Sequence, residues 1–268
     1  MKRRRFIQAA AALLAGAKSA LARGDSGPAP KRRRVLVTSA EHSLAMTIAK
    51  HLTPTHYVRL TAVTDVQTDL PFTKCGLGPN ETTDALVRDT DVIVHVAEPP
   101  AGADERTQID HRTRLTYNLL WAASMHSVRK VVLLSSLDLF TAYDEDYEVT
   151  EDWAPLPAAN AEALSHHLGE FTCREFARES KIDVVVLRLG KVVRSEKVAG
   201  QDYDPMWVDE LDVATAVDGA VRTDFQDDPS RVHSWRVFHV QSDSKKARFT
   251  SGRAKGQLGF APTRFGDA

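Results

Sequence analysis

From residue 34 onward, short β-branched runs alternate with longer segments whose apolar residues recur every three or four positions. The runs predict strands over 34–38, 57–63, 92–96, 130–135, 183–189 and 236–240. The longer segments predict helices over 44–52, 82–88, 108–125, 159–179 and 207–222. Strand and helix in alternation is the pattern of an α/β fold, a parallel sheet covered by helices on both faces. Val92-Ile93-Val94 and Val184-Val185-Val186 show no polar alternation. Both faces of those strands are therefore expected to be buried, as in the middle of a doubly wound sheet.

Residues 1–22 follow a different pattern. A basic start, an Ala/Leu-rich stretch from Ala9 to Ala17 and the small-residue sequence Ala20-Leu21-Ala22 have the layout of an export signal cleaved near Ala22. Arg3-Arg4-Arg5-Phe6-Ile7-Gln8 resembles the twin-arginine motif, which predicts a periplasmic or extracellular location. Residues 23–30 read as a Gly/Pro/Ser linker, and the folded region is expected over 31–268, with a nucleotide-binding core over 31–203.

Charge narrows the partners. The 268 residues carry 35 Lys and Arg against 36 Asp and Glu. Loss of residues 1–22 removes Lys2, Arg3, Arg4, Arg5 and Lys18 and no acid, leaving 30 basic against 36 acidic residues. Such a chain lacks the basic excess of nucleic-acid binders, so Lys31-Arg32-Arg33-Arg34 reads as a solvated cluster before the first strand. No apolar run approaches the ~20 residues of a transmembrane helix. Two cysteines, Cys75 and Cys173, exclude a disulfide framework and a cysteine-based zinc site.

Six segments together resemble the extended short-chain dehydrogenase/reductases of the NAD-dependent epimerase/dehydratase type. They are Asp91-Val92-Ile93-Val94-His95-Val96-Ala97, Tyr117-Asn118-Leu119-Leu120, Val131 to Ser136, Val149-Thr150-Glu151-Asp152, Val186-Leu187-Arg188-Leu189-Gly190 and Leu258-Gly259-Phe260-Ala261-Pro262. The resemblance implies a doubly wound, Rossmann-like parallel sheet with a small C-terminal substrate-side lobe from residue 204 onward. It also implies NAD or NADP as cofactor and a sugar or sugar-nucleotide substrate, with a small-molecule ligand in the cleft and homodimerisation left open.

The positions that carry chemistry in that family depart from its pattern. Its glycine-rich turn falls on Thr38, Ser39, Ala40, Glu41, His42 and onward to Ala45, with Ser39, His42 and Ala45 in place of glycines. There is no glycine between Gly27 and Gly76. Glycine there permits close approach of backbone to pyrophosphate, and Glu41 would repel it, so cofactor binding is expected to be weak or absent. By the same resemblance Asp65 is the nearest substitute for the ribose-binding acid, Leu77 follows Gly76 at the adenine position, and Ala97 and Ser135 end the fourth and fifth strands. The Ser/Thr, Tyr and Lys of the family's proton relay fall on Leu137, Glu162 and His166. Leucine has no donor, and a carboxylate differs from a phenol by about six pKa units.

Glu162 and His166 lie one helical turn apart and, with Ser136, are the candidate catalytic residues of a rewired site. His166, His167 and Glu170 fall short of a metal set, and His95, inside a strand motif, reads as a core histidine. Two readings stay open: an epimerase/dehydratase-like enzyme, and a binding or regulatory module that has lost NAD(P) turnover.

Overall fold

A computed structural model describes residues 31–179, 182–225, 235–244, 246–262 and 265. The segments expected as export signal and linker, residues 1–30, lie outside the described residues. From Arg32 on, the chain forms one compact unit. Of the nine strands among the described residues, seven are central: β1 (Arg34–Val37), β2 (Tyr57–Ala62), β3 (Phe72–Lys74), β4 (Val92–His95), β5 (Lys130–Ser136), β6 (Asp183–Leu189) and β9 (Trp235–Val240). They form one sheet in the order β3-β2-β1-β4-β5-β6-β9, and every pairing is parallel. β1 is interior, and the strand order reverses on either side of it, which opens a crevice at the carboxyl ends of β1 and β4.

Side-chain alternation explains the unbroken apolar runs. Val35, Val37, Val92 and Val94 point into one core cluster with Ile48 and Leu52 of α1 (Ser43–Leu52) and with Val213 and Val217 of α6 (Glu210–Arg222). Leu36 and Ile93 point to the other face and pack with Leu86 of α2 (Glu81–Val87), Leu119 and Leu120 of α4 (Thr116–Met125), and Cys173 of α5 (Ala161–Glu179). Each fully buried Val, Leu or Ile on these strands contributes roughly 1.5–3 kcal/mol. A third cluster of Leu137, Leu139, Phe140, Val149 and Phe249 closes the carboxyl end of β5. Lys130, the first residue of β5, is buried and donates to the carbonyls of Ala220 (3.0 Å), Val221 (3.3 Å) and Thr223, capping α6.

Two of the expected helices differ in the structure. The helix expected over 108–125 is α3 (Glu105–Asp110), a π-helical turn (His111–Leu115) and then α4. The segment expected as helix from residue 207 begins as a strand, β8 (Trp207–Asp209), paired parallel with β7 (Lys191–Val193). Asp209 then starts α6, its carboxylate accepting from the Leu211 N–H at 2.8 Å. Residues beyond Asp204 supply β8, α6, the last strand β9 and α7 (Gly252–Leu258), with α6 packed on α1. Among the described residues no helix is long and apolar enough to cross a membrane.

Candidate functional site

A cleft of about 870 Å³ opens over the carboxyl ends of the central strands, between α5 and the β7–β8 pair. Its walls include His42, Glu98, Ser135, Ser136, Glu162 and His166. The other candidates, Thr38, Ser39, Ala40, Asp65, Leu77 and Ala97, do not line it. Of these, Asp65 stands exposed in an ion pair with Lys74 at 2.7 Å. Leu77 is buried, and its carbonyl accepts from Asn118 at 2.9 Å.

The strand ends are held tightly. Thr38 Oγ1 accepts from the Val96 N–H and lies 3.0 Å from His95 Nδ1, while His95 Nε2 lies 2.9 Å from Thr116 Oγ1. Thr116 gives its own hydrogen to the Arg112 carbonyl. His95 Nε2 must therefore donate and Nδ1 accept, which assigns one neutral tautomer. Burial pushes this imidazole down to about 3, in keeping with that state. The chain links β1 and β4 to the π turn, and His95 is a satisfied core residue.

At the turn after β1 the backbone keeps a path suited to glycine. Ser39 adopts φ 56°, and Leu77 and Ala97, also at strand ends, adopt φ 51° and 58°. Each is a non-glycine residue in the left-handed region, at a cost of order 1 kcal/mol or more. Ser39 Oγ and both Glu41 carboxylate oxygens are buried without a hydrogen-bond partner among the described residues. His42 starts α1 with no side-chain cap bond, and its Nε2 instead donates 2.7 Å across the opening to the Pro99 carbonyl. A dinucleotide's pyrophosphate needs room against bare backbone here. The His42 side chain lines the cleft where glycine would leave bare backbone, and the Glu41 carboxylate is buried beside it without a partner, so these residues fit the group poorly.

The relay positions are equally distinct. Leu137 is wholly buried in the third apolar cluster. Ser135 Oγ donates to Glu170 at 2.7 Å, and Glu170 in turn receives a two-pronged bond from Arg188 at 2.9 and 2.7 Å. Ser136 accepts from the Asp138 N–H at 3.0 Å and faces the cleft. Asn160 caps α5 through the Ala163 N–H, and the first turns of that helix set Glu162 and His166 on the cleft wall. No hydrogen bond joins Glu162 to His166 among the described residues. Burial, reinforced by the Arg112 charge, pushes His166 down to about 3, so near neutrality it is an uncharged donor and acceptor. Glu162 is exposed and suited to accept a proton or face a positive charge.

Several residues that line the cleft or support its wall from behind were not singled out from sequence. Arg112, buried on the π turn, pairs with Glu98 at 2.9 Å and reaches Ser165 at 3.3 Å. Arg194 pairs with Glu210 at 2.6 Å and Lys191 with Asp204 at 3.5 Å. A signal that could have located this wall is the N-cap residue Asp209 followed by the acidic Glu210 and Asp212, which the expected helix over 207–222 ran through.

Similar folds are known. Uronate dehydrogenase from Agrobacterium tumefaciens superposes with a TM-score of 0.69 at 20% identity, covering 86% of this chain and 84% of that one. Glucuronic acid dehydrogenase from Chromohalobacter salexigens gives 0.71 at 19% identity, covering 87% and 85%. UDP-glucuronic acid 4-epimerase from Bacillus cereus, in complex with NAD, gives 0.68 at 16% identity, covering 86% and 93%. No curated protein matches the chain. The profile of the NAD dependent epimerase/dehydratase family matches residues 35–203, more than half of the sequence, and the chain belongs to that family.

Proposed function

We propose that this family member binds a sugar-type small molecule in its cleft and no longer turns over NAD(P). The observation that carries the reading is the relay itself. Where the family's chemistry calls for a hydroxyl, a phenol and an ammonium, the chain has a sealed Leu137, a carboxylate and a neutral imidazole. The crowded turn at Ser39, Glu41 and His42 supports it. Calorimetry with NAD and NADP tests it, with an expected dissociation constant of about 0.1 mM or weaker, equivalent to about 5.5 kcal/mol or less. Denatured protein is expected to release no nucleotide.

A second reading, turnover by a rewired site, is favoured by Glu162 and Ser136 both facing the cleft. Micromolar NAD(P) binding would select it and make Glu162 the first general base to test.

The chain is proposed to act outside the cytoplasm, on the strength of the paired arginines and the small residues before Ala22. Changing Arg3 and Arg4 to Lys is expected to hold folded protein in the cytoplasm, and undiminished export would refute the route. A homodimer through α4 and α5 is supported by exposed Tyr117, Trp121 and Met125 on one helix and Leu168 and Phe171 on the other. Sedimentation of Trp121→Glu against the parent tests it, and an unchanged mass would refute it.

A further inference from the structure

We infer that the substrate end of the cleft is built for a ligand bearing a positive charge, an ammonium-carrying small molecule such as an amino sugar. The inference rests on the reading that a small molecule occupies this cleft, and adds its charge class.

The cleft's charges do not balance. Three of its carboxylates are neutralised in place: Glu98 by Arg112 at 2.9 Å, Asp204 by Lys191 at 3.5 Å and Glu210 by Arg194 at 2.6 Å. Asp138 and Glu162 also line the cleft, and among the described residues neither carboxylate has an ion pair or a hydrogen bond. Both belong to the wall formed by the end of β5 and the start of α5. Lys197, on the turn after β7, is the remaining cation of the lining and belongs to the opposite wall. The β5–α5 wall therefore carries two uncompensated negative charges.

A second observation is independent of charge. His166 lies on the same wall, one helical turn from Glu162, with only 8% of its surface exposed, and its ring has no hydrogen-bond partner among the described residues. A buried polar ring left open toward a cleft is a hydrogen-bonding position for whatever fills it. Because burial and Arg112 oppose its protonation, one ring nitrogen keeps a lone pair. An ammonium group offers donors only. Two carboxylates and an imidazole lone pair meet that requirement, whereas a carboxylate ligand would face two like charges and a single distant lysine.

The test is calorimetric titration of the full chain at low salt with glucosamine, glucose and glucuronate, which share a ring and differ in charge. Glucosamine is expected to bind at least ~10-fold more tightly than glucose, and glucuronate most weakly. Glu162→Gln and Asp138→Asn, both at exposed side chains, are each expected to weaken glucosamine about ten-fold and to narrow its preference over glucose, with the melting temperature unchanged. Glucuronate binding as tightly as glucosamine, glucosamine affinity unmoved in both variants, or no binding of any of the three sugars would each overturn the inference. NAD titration of the same preparation keeps the two failures apart. Micromolar nucleotide binding strikes at the proposed function, and a reversed charge preference strikes at this inference alone.

Discussion

Removing Glu170 should cost this protein more than removing almost any other single side chain. Glu170 and Arg188 are each 5% exposed at the side chain, joined by two hydrogen bonds of 2.9 and 2.7 Å, and Ser135 adds a third at 2.7 Å. The guanidinium also lies 4.8 Å from the Phe140 ring centroid. Glu170→Ala leaves that guanidinium buried without its counter-charge, and breaking a buried pair in this way costs roughly 3–5 kcal/mol. For a domain of this size that corresponds to a fall of about 10 °C in melting temperature. Changing both residues to Met removes the orphaned charge along with its partner, and is expected to recover most of the loss. A double-mutant cycle by urea denaturation, checked by scanning calorimetry, measures the coupling. A cost below about 1 kcal/mol for Glu170→Ala, or a double variant as unstable as the sum of the singles, would refute the argument. Because α5 also carries Glu162 and His166, the single variant should weaken ligand binding as well.

Acid sensitivity is a second expectation. Burial holds His95, His166 and His239 down at about 3 and His111 at about 4, all below the unfolded value of 6.5. The unfolded chain takes up these protons first, so stability is fully present above pH 6.5 and is lost as pH falls toward 4, by about 2 kcal/mol per histidine at pH 5. Urea midpoints that are equal at pH 7.5 and pH 5 would contradict this. Restoring glycine at Ser39, His42 and Ala45 together should tighten NAD at least ten-fold by calorimetry without producing turnover. It should also cost about 1–2 kcal/mol of stability, because Ala45 is a fully buried helical residue. Gly169→Ala would place a methyl group 2.9 Å from the Arg112 carbonyl, so a loss of about 1–3 kcal/mol is expected by denaturation, and a neutral effect would show that the π turn yields.

The central strands were legible because burial on both faces leaves a run such as Val184-Val185-Val186 that little else produces, and the observed strand covers Asp183–Leu189 as expected. Short elements were not. β3, β7 and β8 have three residues each, too few for any periodicity to register. The apolar spacing over 108–125 reads as one helix, since a π turn adds a single residue without breaking the pattern. In the site, the cleft's position followed from strand order, and the departures at Leu137, Glu162 and His166 were visible residue by residue. Which carboxylates stay unpaired was not. Arg112 meets Glu98 across 14 positions and Arg188 meets Glu170 across 18, separations that no local pattern encodes.

The buried ammonium of Lys130 sets a schedule for the nascent chain. Its carbonyl acceptors lie 90 to 93 residues further along, at the end of α6. At translation rates of ~5–20 residues per second, they leave the ribosome roughly 5 to 20 s after the lysine does. During that interval β5 can lie beside β4, yet the charge at its base has not met the helix end that will enclose it. The core around the base of β5 is therefore expected to close only once residue 223 has emerged.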